Sequence, residues 1–310
     1  MSYEAEVMFD APVNWWRLGD TGNQTDKTGG LTLTPINSPT DGVAGLLPTG
    51  TDTAVSFVDT SSQYLINNTA DFRIGDTQGS IEAWFSSSAN DALDVSYAIF
   101  SSSDTSIERI VSIDLLPSGS VRLFFQGFLL RNIKTTSTSF NDGNPHHVVV
   151  TSNGSRYKIY VDGADEPFTV LNGPDDGRWF DTVSDRDNVV VGCRKDFSGG
   201  QYYFDGTIDE VAIYNAELSL DRIEAHYQAG AESLSIAGVV TDDDGQPAAR
   251  TVRAYRRSSG VFLAETTSSA VDGSYTLSIA GSGEVQRIAL ADDVAEGVVY
   301  NDKIDRVIPG

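Results

Sequence analysis

The sequence predicts an all-β chain built as two sandwiches, a large one followed by a small one. Three observations carry this. Short stretches rich in Val, Ile, Phe and Tyr recur along the chain, most of them ending in Ser, Asp, Asn or Gly. Turn signals such as Asn153-Gly154 and Asp162-Gly163 separate them. Helical periodicity is confined to one segment. The length, 310 residues, suits two domains of ordinary size.

Taken in order, the strand-like stretches are AVSFVDT (54–60), SIEAWFSSS (80–88), SYAIFSS (96–102), RIVSIDLLPSG (109–119), VRLFFQG (121–127), HHVVVTSNG (146–154), RYKIYVDG (156–163) and NVVVGC (188–193). Asn153-Gly154 predicts a type I′ hairpin, because both central residues of that turn need positive φ. Residues 216–230 (AELSLDRIEAHYQAG) predict the helix. Ser219 is its N-cap, Asp221 suits the first turn, and Gly230 ends it. Leu220, Ile223 and Tyr227 share one face. The small-residue run 229–235 reads as a linker. Beyond it, period-2 alternation and the turns Asp244-Gly245 and Asp272-Gly273 predict a compact antiparallel sandwich. The boundary is drawn between 233 and 234.

Charge and composition exclude several functions. Lys and Arg number 21 against 44 Asp and Glu, a net charge of −23. Counterion release from nucleic acid needs clustered cations, so a nucleic-acid partner is not expected. The N-terminus has neither a basic segment nor an apolar one of signal-peptide type, which predicts synthesis and folding in a cytoplasm. No apolar run is long enough to span a membrane. The single cysteine, Cys193, lies in an apolar strand and reads as a buried, inert thiol. Residues 45–53 (GLLPTGTDT) lack the Gly-Lys-Ser/Thr of a phosphate loop.

Four segments, APVNWWRLGD (11–20), SIEAWF (80–85), HHVVVTSNGSRYKIYVDG (146–163) and FDGTIDEVAIYNAELSLDRIEAHYQAG (204–230), resemble the laminin-G-like, concanavalin A-like jelly roll, and in the same order. Residues 234–281 resemble small carboxypeptidase-regulatory-like, Ig-like domains. The tail VVYNDKIDRVIPG (298–310) and the opening APVNWWRLGD are similar to tailed-bacteriophage virion proteins. The resemblance implies a concanavalin A-like jelly roll over 1–233 and a small Ig-like sandwich over 234–310. It also implies a non-enzymatic structural protein on the virion surface, either a capsid decoration or part of a tail appendage. Its partners would be other virion proteins and host cell-surface glycans, and it could form a homo-oligomer. The alternatives are a carbohydrate-active enzyme or its binding module, and a capsid cement without ligand.

A glycosidase needs two carboxylates flanking one bond. Asp209 and Glu210 are neighbours on a strand, so alternation would send them to opposite faces, and Glu82 stands alone. Of the three histidines, His146 and His147 should point opposite ways, and His226 is expected at the helix surface. No catalytic residue is therefore assigned. The resemblance implies a calcium ion between an N-terminal loop and the Asp of the Ile-Asp-Glu-Val strand. Asp26, Thr28 and Gly29 match the loop, Asp209 matches the strand, and Asp20 lies close in sequence. Gly30 stands where the family has Asn and removes one oxygen. The other reading makes Asp26 an Asx-turn residue, with Asp209 hydrogen-bonded to that loop. For sugars, Trp179 in a polar loop is the candidate aromatic, either as a stacking face or as a cover for the core. Phe128, Tyr202 and Tyr203 lie near loop ends, while Trp15, Trp16 and Trp84 read as packing.

Overall fold

The computed structural model describes residues 2–47, 52–90, 96–196, 198–231, 233–242, 244–256, 262–280, 285–293 and 298–307. Part of the stretch 45–53, at 48–51, and the end of the tail, 308–310, fall outside the described residues. The chain divides into two compact units, Met1–His226 and Tyr227–Gly310. The sequence reading draws its line after the helix instead.

The first unit opens with helix α1 (Tyr3–Phe9) and strands β1 (Asn14–Trp16), β2 (Thr34–Ile36), β3 (Thr40–Ala44), β4 (Thr53–Phe57) and β5 (Tyr64–Asn67). It continues through β6 (Gly79–Ser86), β7 (Tyr97–Ser103), β8 (Ile110–Leu115), β9 (Val121–Gln126), β10 (Leu130–Thr135) and β11 (His146–Ser152). Then come β12 (Tyr157–Val161), β13 (Ala164–Glu166), β14 (Phe168–Asn172), β15 (Val189–Val191), β16 (Arg194–Asp196), β17 (Gly199–Gln201) and β18 (Gly206–Tyr214), followed by helix α2 (Leu220–Gly230), which from Tyr227 on belongs to the second unit.

Two eight-stranded sheets form the sandwich. One runs β13-β12-β11-β6-β18-β4-β3, with β1 also paired to β18. The other runs β14-β10-β9-β8-β7-β15-β5-β2. Every pairing within them is antiparallel. Alternating residues of both sheets interlock in one core, including Ile81, Ala83 and Phe85 of β6 against Leu123 and Phe125 of β9. Core formation follows from that alternation, since the apolar side of each strand has to leave water.

The turns refine the sequence reading. The β11–β12 hairpin forms, but its loop is 153–156 rather than a two-residue turn: Asn153 Oδ1 accepts from the N–H groups of Ser155 and Arg156, and only Gly154 has positive φ. The type I′ geometry falls instead at Asp162-Gly163, where both φ values are positive, 53° and 73°, and Val161 pairs with Ala164.

Helix α2 begins as expected, with Ser219 Oγ accepting from Arg222 N–H. Ile223 and Tyr227 are buried, but Leu220 is 39% exposed, and Leu218 just before the helix is buried in its stead. Helix α1 has no counterpart in the sequence reading. Ser2 caps it by accepting from Ala5 N–H, and Glu4 and Glu6 occupy its first turn. No helix among the described residues is long and apolar enough to cross a membrane. Cys193 is buried and free, and burial pushes its thiol up to about 12, as an inert thiol requires.

The second unit contains β19 (Ser233–Val239), β20 (Thr251–Arg256), β21 (Phe262–Thr267), β22 (Ser274–Ala280), β23 (Val285–Asp293) and β24 (Val298–Val307). β19 pairs with β22, and the rest form a sheet in the order β21-β20-β23-β24. Ile236, Val240, Val252, Ala254, Tyr275 and Leu277 make its core. Gly245 and Gly273 take the positive φ that the two Asp-Gly turns demand.

Candidate functional site

The acidic strand β18 departs from simple alternation. Its pairing with β6 shifts register between Asp209 and Ala212, and Glu210 has φ +50°. Ile208 and Val211 both enter the core, so Asp209 and Glu210 both lie on the side away from it. The expectation that these two carboxylates take opposite faces is therefore corrected, and a β-bulge is the reason. Both are buried, at 1% and 0% exposure.

Their partners separate their roles. Glu210 accepts from Trp15 Nε1 at 2.8 Å and from Arg17 Nε and Nη2 at 3.0 and 2.9 Å. Arg17 also reaches Asp52 at 2.8 Å and Glu4 at 3.1 Å. Asp209 accepts from Leu46 N–H at 2.9 Å, while its Oδ1 has no well-formed hydrogen bond among the described residues. Burial, only partly countered by Leu46 N–H, pushes Asp209 up to about 7. Burial and then the charge of Asp209 push Glu210 well up as well, against the pull of Arg17.

Asp26 is held quite differently. Its oxygens accept from the backbone N–H groups of Trp15, Thr28, Gly29 and Leu31 and from Asn14 Nδ2, at 2.6 to 3.1 Å. Burial disfavours the charge, but these donors outweigh it and hold the carboxyl below its usual range. Gly29 is needed there, because a Cβ would stand 2.1 Å from Asn14 Nδ2 and 2.5 Å from the Val13 carbonyl. Calcium takes a shell of oxygens, whereas N–H groups point their positive ends at this carboxylate. The arrangement does not fit a cation on Asp26. Asp209 binds the Leu46 segment and not the Asp26 loop, and Asp20 accepts from Thr25 N–H within its own turn. Among the described residues, no group of three or more His, Cys, Asp or Glu is placed to share an ion.

Glu82, solitary in the sequence, is the hub of a buried network. Tyr3 and Tyr214 hydroxyls donate to it at 2.8 and 2.7 Å. His147 Nε2 stands 2.8 Å away and His226 Nδ1 at 3.0 Å. His226 Nε2 meets Asp10 at 2.9 Å, and Arg222 binds both Asp10 and Glu6. His226 is fully buried rather than at the helix surface. It lies three residues beyond Ile223 on the same helical face, which is the signal that places it inward. Burial works against the charge on Glu82, but His226 and then His147 hold it well below the usual carboxylate range. His226 loses by burial and gains more from Glu82 and Asp10, reaching about 9. His146 does point the other way from His147, as expected, and lies between Asp162 and Asp142. With no exposed atom on Glu82, His147 or His226, this network braces the fold rather than meeting a substrate.

Among the sugar-binding candidates, Trp179 is fully buried, packed on Phe125 and Phe180 with centroids 5.7 and 5.5 Å apart. Its ring covers the core and offers no stacking face. Trp15, Trp16 and Trp84 are likewise buried. Phe128 is 86% exposed under the Arg109 guanidinium, whereas Tyr202 and Tyr203 are half-buried. The Trp179 loop contributes in another way, since its neighbours Asp176, Gly177, Arg178, Asp181 and Thr182 line a cleft of about 360 Å³. Thr77, Gln78, Asn153 and Gly154 form the rest of it. The hydrogen bonds of Arg131 hold Asp176 below its ordinary range, and burial raises Asp181.

A family model described as the concanavalin A-like lectin/glucanases superfamily matches residues 58–224. No curated protein matches the chain. Among solved structures, the Ruminococcus gnavus IT-sialidase CBM40 bound to α2,3-sialyllactose is 15% identical, with a TM-score of 0.42. That match covers 48% of this chain and 81% of the other. The Trypanosoma rangeli sialidase is 13% identical with a TM-score of 0.48, covering 69% of this chain and 32% of the other. The leech intramolecular trans-sialidase is 15% identical with a TM-score of 0.44, covering 73% and 32%.

Proposed function

Because the chain belongs to the concanavalin A-like lectin/glucanases superfamily, we propose that it is a non-catalytic glycan-binding protein carried on the surface of a tailed-phage virion. One observation carries the binding half: the polar cleft rimmed by Gln78, Asn153, Asp176, Arg178 and Asp181. Amides, carboxylates and a guanidinium converging on one concavity supply the paired donors and acceptors that sugar hydroxyls need. The virion half is supported by the resemblance of the opening and tail segments. In this reading the small second unit, taken as Ig-like, docks on the particle as a capsid decoration or tail appendage, and the first unit meets host glycans. No calcium ion enters it.

A glycan array probed with the purified protein tests the binding. Selective signals that fall on Arg178→Ala or Gln78→Ala are expected, and a blank array would favour a cement without ligand. Mass spectrometry of purified virions tests the location and is expected to find the protein among the particle's components. One observation favours an enzymatic second reading: Asp176 and Asp181 line the same cleft with their carboxyls shifted in opposite directions, as an acid–base pair would have them. Glycan hydrolysis that disappears in Asp181→Asn would replace the binding reading with that one.

A further inference from the structure

On the side of the second sheet that faces away from the core, strands β8 to β10 carry more cations than acids, against the charge of the molecule. Leu123, Phe125 and Ile133 point into the core, so Arg122, Phe124, Asn132 and Lys134 point out. Register sets them in two rows across four strands. In one row Asp114 lies opposite Arg122, Arg122 opposite Lys134, and Lys134 opposite Thr169. In the next, Ser112, Phe124, Asn132 and Asn172 follow one another.

The cations outnumber their partner. Asp114 Oδ2 accepts from Arg122 Nε and Nη2 at 3.0 and 2.6 Å and from Arg194 Nη2 at 2.9 Å. Phe124 lies against both guanidinium groups, with its centroid 5.3 Å from Arg122 and 4.5 Å from Arg194. Tyr202 covers Arg194 at 4.4 Å. Lys134 has no ion pair among the described residues. Asp114 is fully enclosed and already shared by two arginines, so the row keeps a surplus of positive charge. Like charges set directly opposite on neighbouring strands destabilise a sheet. Here Arg122 and Lys134 stand that way in a chain with twice as many acids as bases.

We infer that this row is a second binding site, separate from the cleft, and that its ligand is an acidic saccharide. Arg122 and Lys134 take the carboxylate or sulfate, and Thr169, Asn132 and Asn172 meet hydroxyls. Asp114 and Phe124 hold the Arg122 guanidinium in place beforehand, so little side-chain entropy is lost on binding. The site shares no residue with the cleft, and each can fail without the other.

The test titrates the purified protein calorimetrically with matched oligosaccharides. These are a polygalacturonate fragment (carboxylate), a heparin fragment (sulfate) and a neutral galactan fragment, with polyphosphate as a plain polyanion. Binding to at least one acidic sugar is expected, with none to the galactan. Lys134→Gln is expected to weaken it roughly tenfold, while Lys158→Gln, the same charge change on the opposite sheet, leaves it unaltered. The carboxylate and sulfate arms then tell which group is read. Lys134→Gln should melt no lower than the parent, because it relieves a like-charge pair, so lost binding would not reflect unfolding. The inference is overturned if neither acidic sugar binds, if Lys134→Gln binds as the parent does, or if galactan or polyphosphate binds as tightly.

Discussion

Glu210 adopts φ +50° in the middle of a strand, a backbone region that non-glycine residues enter at a cost of order 1–3 kcal/mol. That strain sets two carboxylates side by side on one face of β18, with Arg17 the only guanidinium bound to Glu210 among the described residues. Asp209 bears the consequence. Its carboxyl titrates near 7 in the folded protein, against about 3.9 in an unfolded chain. Below about pH 4 it is protonated in both states and costs nothing. As pH rises toward 7 only the unfolded chain gains by ionising, so stability is lost through that window, and Glu210 adds in the same direction. Asp209→Asn removes the effect and keeps an oxygen for Leu46 N–H. Urea unfolding should show the variant gaining on the parent steadily from pH 4 to pH 7. A difference that does not change with pH would contradict the assignment.

At the scale of elements, Glu82 brings together strands β6, β11 and β18 and helices α1 and α2, through His147, Tyr214, Tyr3 and His226. Removing its charge strands two buried imidazoles, and breaking such a pair costs about 3–5 kcal/mol. In Glu82→Gln, His226 should titrate well below its present value near 9, as read by NMR. The sign follows from the raised folded value. The stabilisation from His226 is complete below about 6.5, its ordinary value, and is lost as pH passes 9. An unchanged His226 titration in the variant would sink the account. Little of this network was legible beforehand. The strands could be read because Val, Ile and Phe alternate in them, whereas Asn153-Gly154 marks the hairpin but not its turn, which is the four-residue loop 153–156 and not type I′. Glu82 looked isolated because its partners lie 65 to 144 residues away or in a helix with no sequence signal. The bulge at Glu210 also hides from period-2 reasoning, since one extra residue inverts the expected facing of its neighbours.

Across the whole molecule, sandwich architecture follows from patterning, but the ligand-facing surfaces do not. Trp179 sits in a polar sequence that leaves a stacking face and a cover for the core both open, and Gly79, where a Cβ would stand 2.6 Å from its Nε1, leaves the space in which the ring is buried. The residues around it make the cleft. A net charge of −23 likewise conceals a basic row, because composition averages over faces that strand register keeps apart. The Glu82 network has one more consequence. Tyr3, near the beginning of the first unit, and His226, at its end, bind the same carboxylate. The two ends of that unit therefore meet. A circular permutant that joins them through a short linker and opens at 153–156 should fold with the parental far-ultraviolet spectrum, because the covalent order of the strands matters less to this sandwich than the point where its ends are fastened.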